Sequence, residues 1–111
     1  MVGKLKKIPL KNRDRWVYVA RREGCTDYKI GYTSEPYMRM LTLKSKYKGW
    51  VVFLHTVLRK QDAKIVEGIA HRILEKYATG NEWFSVNREM AIEAVQMACL
   101  EADRRKEKND G

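Results

Sequence analysis

The chain has 111 residues, 44% of them hydrophobic, and a formal net charge of +9, which suits one domain with one core and leaves no room for a second. No apolar run approaches the ~20 residues needed to span a bilayer, and the opening MVGKLKKIPLKNRDR lacks the apolar core of a signal peptide, so a cytoplasmic location is expected. Cys25 and Cys99, like His55 and His71, are too scattered for a structural zinc site, and reduced thiols are expected.

The charge is unevenly placed. Residues 1–60 hold fifteen Lys and Arg against four acids, whereas residues 61–111 hold eight against ten. A one-sided positive field draws polyanions by releasing their counterions, which makes nucleic acid the leading partner, with solubility the plainer account of the same charge. A membrane surface is disfavoured, because no predicted helix pairs a basic face with a bulky aromatic one.

Residues 1–13 read as a flexible basic arm, and Lys4, Lys6, Lys7, Lys11 and Arg13, followed by Arg15, are candidate phosphate contacts. RWVYVARR has strand content, Glu23-Gly24 a turn, and DYKIGYT a second strand, predicting an antiparallel hairpin. Ser34-Glu35-Pro36 predicts a helix start with Ser34 as N-cap, and the helix runs to about Tyr47, closed by Gly49. WVVFLHTVL, residues 50–58, is continuously apolar and predicts a central strand. Gln61 to Tyr77 follows as a helix with Ile65, Ile69, Ile73 and Tyr77 as its core stripe, ended by Gly80-Asn81. EWFSV returns as a short segment, its Trp83 and Phe84 closing the core. Asn87 caps a last helix with Met90, Ala91, Ala94, Val95, Ala98 and Cys99 on its apolar face, and from Glu101 the charged end is expected to fray. The predicted fold class is α+β, a small three-stranded antiparallel sheet flanked by helices, with one domain over residues 14–102 and a charged tail over 103–111.

WVYVA, YKIGYT, an arginine on the next helix, a glutamate on the helix after the third strand, and NEWF occur in that order over about residues 16–86. Together they resemble the GIY-YIG nuclease superfamily, and within it a compact branch of phage and bacterial open-reading-frame proteins and similar fungal ones, in which the second motif reads KIG. The resemblance implies a GIY-YIG endonuclease-like fold, a phosphodiester-cleaving site with one divalent cation, Mg²⁺ or Mn²⁺, and DNA as substrate ahead of RNA. By position it implies catalytic roles for Tyr18, Lys29, Arg39 and Glu67, with Glu67 the metal ligand, and it leaves the general base open, since Lys29 stands where most of the superfamily has tyrosine and Tyr28 and Tyr32 lie close by. The other reading of the same fold is a non-catalytic module that binds nucleic acid or a protein partner, such as a phage regulatory or inhibitor protein, with a homodimer as one form.

The chemistry gives its own reasons for these residue types. Hydrolysis needs a deprotonated nucleophile, countercharge on the developing phosphorane and help for the leaving oxygen. Arg39 offers a planar fork matched to phosphate, and one carboxylate, Glu67, suffices for a cation that keeps most of its waters. Tyr18 or Tyr32 would serve as base only with a lowered pKa, and Lys29 is either the cation that lowers it or the base itself. His71, one turn beyond Glu67, would as an accessory residue orient it or contact phosphate, with a structural role as its plainer account. Taken singly, each has a plainer account: Tyr18 as a half-buried strand tyrosine, Lys29 and Arg39 as surface charges, and Glu67 as the partner of His71.

Overall fold

The run DRWVYVARR forms an interior strand because β-branched and aromatic side chains alternate onto two faces, both of which are covered. Residues 14–110 are described by the computed structural model, which shows an α+β fold of three helices and one five-stranded antiparallel sheet. The strands are β1 (Asp14–Arg22), β2 (Tyr28–Thr33), β3 (Val51–Lys60), β4 (Ala78–Gly80) and β5 (Trp83–Phe84); the helices are α1 (Pro36–Tyr47), α2 (Ala63–Ile73) and α3 (Arg88–Asp110). Across the sheet the order is β3-β1-β2-β5-β4. Val17, Val19 and Ile30 point to the face covered by α2 and α3, and Tyr18 and Ala20 to the face covered by α1.

The expected hairpin forms, with Tyr18 opposite Gly31 and Ala20 opposite Lys29. Gly24 (φ 80°) supplies the left-handed turn residue. The three-stranded expectation falls short: residues 78–84 make a second small hairpin, and β5 pairs with β2 through Tyr28–Phe84 and Lys29–Trp83.

β3 is an edge strand and not the central one. Its apolar run lacks alternation for a different reason: Val19 faces His55 while Ala20 faces Phe53, so Leu54 is an extra residue, a bulge that inverts the strand's polarity. Val51 and Phe53 thereby pack beside Tyr18, Val57 packs with the opposite core, and Val52 and Leu58 remain exposed.

The helix ends differ in detail from expectation. Pro36 forces the residue before it out of the helical region, so Glu35 (φ −138°, ψ 85°), not Ser34, is the N-cap, and its N–H donates to Thr33 Oγ1 at 3.1 Å. At the other end Lys48 (φ 53°), and not Gly49, takes the left-handed cap conformation. On α2 the isoleucine stripe fails: Ile65 and Ile73 are 53% and 38% exposed, and only Ile69 of the three is buried. Residues spaced strictly by four drift about 40° per step around a helix of 3.6 residues per turn. The buried line is Ala63, Val66, Ala70 and Leu74, which mixes spacings of three and four, and a 3-10 turn (Glu75–Tyr77) follows.

α3 begins as expected, with Met90 N–H donating to Asn87 Oδ1 at 2.8 Å and Ala91, Ala94, Val95 and Ala98 buried. It does not fray at Glu101. Arg59 donates to Asp62 at 2.9 and 2.7 Å and to Asp103 at 2.6 Å, and Lys106 reaches Asp62 at 2.9 Å, which ties the far end of α3 to the β3–α2 corner while Ala102 stays buried. Burial alone would raise the Asp62 carboxyl, but hydrogen bonds from Arg59 and Lys106 outweigh it and hold it below the usual carboxylate range. The arm over residues 1–13, with Lys4, Lys6, Lys7, Lys11 and Arg13, lies outside the described residues.

Candidate functional site

Pairing between β2 and β5 stops at Lys29, and beyond it only the Ile30 N–H continues the ladder, donating to Glu82 O at 3.0 Å. Among the described residues no strand flanks the rest of β2 on that side. His71 of α2 takes the place of the missing neighbour: its Nε2 donates to the Ile30 carbonyl at 2.7 Å. The notch left in the sheet edge is an open cleft of about 320 Å³, lined by Arg15, Tyr32, Thr33, Ser34, Arg39, Glu67 and Glu82. It lets residues from opposite faces of the sheet meet.

Of the residues expected in a site, Arg15, Arg39, Glu67 and Tyr32 line this cleft directly. Arg39 lies in the first turns of α1 with its side chain exposed. Arg15 sits over the Tyr32 ring, 5.6 Å from its centroid. Tyr18 and Lys29 lie on the α1 side, both buried. Tyr32 packs against the α2–α3 core, on the other side from Tyr18, so the two tyrosines do not share one position.

Tyr18 is fully buried, stacked on Phe53 at 4.4 Å, and its hydroxyl has no hydrogen-bond partner among the described residues. Burial pushes the phenol up to about 12, against the opposing field of Arg39 and with added repulsion from Glu82 and Glu67. The same ring explains the glycine in YKIGYT. A Cβ on Gly31 would lie 2.5 Å from Tyr18 Oη and 2.6 Å from its Cζ. Gly31→Ala is therefore expected to displace a ring already locked against Phe53 and to cost about 1–3 kcal/mol, measured as a lower urea midpoint; unchanged stability would show that the ring has room to move.

Glu67 is the second buried polar group left open: its Oε2 has no hydrogen-bond partner among the described residues, and its Oε1 is 4.0 Å from His71 Nδ1, beyond hydrogen-bonding reach. Burial raises its carboxyl to about 7, repulsion from Glu82 adds to this, and Lys29, Lys64 and Arg39 oppose it. Because Nε2 of His71 is committed to the Ile30 carbonyl, it is Nδ1 that the ring turns toward Glu67.

Glu82 was not foreseen. It stands in the β4–β5 turn with φ 67°, a conformation that costs a non-glycine residue energy and that the Ile30 ladder bond helps to hold. Its carboxylate forms an ion pair with buried Lys29. In sequence it is one acid beside a Gly-Asn turn, and only the Lys29–Trp83 register reveals that it reaches the cleft. Lys29 is thus neither a solvated face residue nor a free base. Trp83 also departs from expectation: Phe84 is buried, whereas Trp83 is half-buried and its Nε1 donates to Tyr47 Oη at 3.0 Å.

The cleft sets Arg15 and Arg39, from the basic half of the chain, beside Glu67 and Glu82 from the other half, an arrangement consistent with a nuclease-like or nucleic-acid-binding domain. The model of the T5orf172 domain matches residues 15–99, and the chain belongs to that family, a phage and bacterial domain related to GIY-YIG-like nucleases. Neither the curated proteins nor the solved structures contain a match to it. Among the described residues no helix is long and apolar enough to cross a membrane, and no three His, Cys, Asp or Glu side chains converge as a metal centre.

Proposed function

We propose that this chain is an endonuclease that hydrolyses DNA phosphodiester bonds with one divalent cation, Mg²⁺ or Mn²⁺, held at Glu67. The observation that carries the reading is the buried Glu67 Oε2, which has no hydrogen-bond partner among the described residues, in the same cleft as Arg39. A carboxylate oxygen out of water and without a donor is costly, and a hard cation that keeps most of its waters and needs one carboxylate fits it. When bound, the cation supplies charge at the leaving oxygen.

The chain's own residues do the rest. Arg39, exposed at the cleft, takes the non-bridging phosphate oxygens with its planar fork and opposes the charge that develops on them. Tyr32 takes the water-facing role, because it is half-exposed in the cleft whereas the Tyr18 hydroxyl is buried and hard to ionise. Tyr18, fully buried and with its phenol pushed up, keeps its proton. Lys29 holds Glu82 in place, and His71 fixes the sheet edge and the ring beside Glu67.

Purified protein incubated with supercoiled plasmid, single-stranded DNA and RNA is expected to cut DNA with Mg²⁺ or Mn²⁺ and to stop in chelator. Cleavage of RNA alone would move the substrate; salt-sensitive binding without cleavage of any of the three would replace the enzyme with a binding module.

A further inference from the structure

A second cleft, of about 240 Å³, opens on the α1 side of the sheet and is lined by Arg22, Cys25, Asp27, Tyr47, Thr79 and Trp83. It adjoins the first through β5: Glu82 faces the reaction cleft and the next residue, Trp83, faces this one. We propose that it receives an unpaired nucleobase from the strand whose phosphate lies at Arg39, an inference that rests on the function proposed above and narrows its substrate to DNA that is single-stranded or locally opened.

Three features fit a base. Tyr47 and Trp83 meet edge to face at 5.4 Å, and the Arg22 guanidinium stands over both rings, 4.9 and 5.9 Å from their centroids. Such an assembly of rings and guanidinium is a surface on which any base can stack. The parts are held in place: Trp83 Nε1 donates to Tyr47 Oη at 3.0 Å and Arg22 Nε to Cys25 Sγ at 3.0 Å. Tyr47 accepts in that bond, which leaves its own hydroxyl proton for a base carbonyl or ring nitrogen.

Asp27 gives the cleft an edge-reading group. Thr79 Oγ1 donates to its Oδ2 at 2.7 Å, and Oδ1 has no hydrogen bond among the described residues. A carboxylate oxygen there accepts from an exocyclic amino group, which cytosine, adenine and guanine carry and thymine lacks. The Lys29 ammonium, 5.8 Å from the centroid of the same Trp83 ring, lies between the base cleft and the acids of the reaction cleft. A paired base could not enter, since its faces and edges are already engaged in the duplex.

The test is binding in chelator of labelled eight-nucleotide strands, cytosine or thymine, an abasic strand of equal charge, and a duplex, read by fluorescence anisotropy. Wild type is expected to bind the cytosine strand about 10-fold tighter than the abasic one. Tyr47→Leu should erase most of that margin while leaving duplex binding unchanged, with circular dichroism confirming the fold. Asp27→Asn, at a half-exposed position where folding is not at stake, should reduce the preference for cytosine over thymine. Equal affinity for base-bearing and abasic strands, or variants that bind as wild type does, would overturn the base site and leave the nuclease reading standing. Failure to bind any of the four, at any salt concentration, would overturn both.

Discussion

Arg39→Ala should lower the rate of DNA cleavage by about 10²-fold or more while leaving the protein folded. The side chain is exposed and is not part of either core cluster. Its backbone N–H bond to Glu35 O at 2.9 Å survives the change, and alanine is the best helix former. Stability should therefore move by no more than about 0.5 kcal/mol. What is lost is the fork opposite the phosphate and the positive field over Tyr18, whose phenol rises further without it. Arg39→Lys restores a charge but not the fork, and is expected to recover only part of the rate. Single-turnover cleavage with enzyme in excess measures this directly. A variant that cuts at the wild-type rate would remove Arg39 from the chemistry.

Glu67→Gln should make the cation-free protein more stable at neutral and alkaline pH. The folded carboxyl is raised to about 7 from 4.5, chiefly by burial, so the folded state holds its proton more tightly than the unfolded state does. The stability this gives is fully present below about pH 4.5 and is lost as pH rises through about 7. The ionised side chain then carries a penalty on the order of 2 kcal/mol. Glutamine has no such charge. In chelator at pH 8 the variant should melt several degrees above wild type, and near pH 4 the two should converge. Mg²⁺ or Mn²⁺ should raise the wild-type melting temperature at pH 8 and leave that of the variant where it was, because a ligand stabilises only what it binds. Identical wild-type and variant curves at every pH would mean that Glu67 is better solvated than its burial indicates.

The hairpin and the buried face of α3 were legible because their signals are local: β-branched alternation around Glu23-Gly24, and Asn87 ahead of small apolar residues on one helical side. The place of β3 was not, since the bulge at Leu54 erases the alternation that marks an edge strand. The isoleucine stripe misled because strict spacing of four is not the helix period, and Ala63, Val66 and Ala70 form the true line with fewer atoms. The end of α3 looked free because Asp103 and Lys106 find their partners, Arg59 and Asp62, on another element. The candidate site divides in the same way. Arg39 and Glu67 could be located by residue type and order along the chain, and both line the cleft. The place of Glu82 at the cleft depends on which strand edge is left open, set by the two-residue length of β5, and the separation of Tyr18 from Tyr32 on the β1–β2 register, which sets Tyr18 opposite Gly31 and Tyr32 on the other face.

The central claim is that Glu67 and Arg39 belong to one cation-dependent cutting site. It is tested most directly by wild-type and Glu67→Gln proteins, purified in parallel and incubated with supercoiled plasmid in Mn²⁺, with and without chelator. Nicked and linear products from the wild type alone, and only without chelator, with DNA binding retained by the variant, are the expected result. Equal nicking by both proteins, or nicking that chelator does not stop, would contradict it.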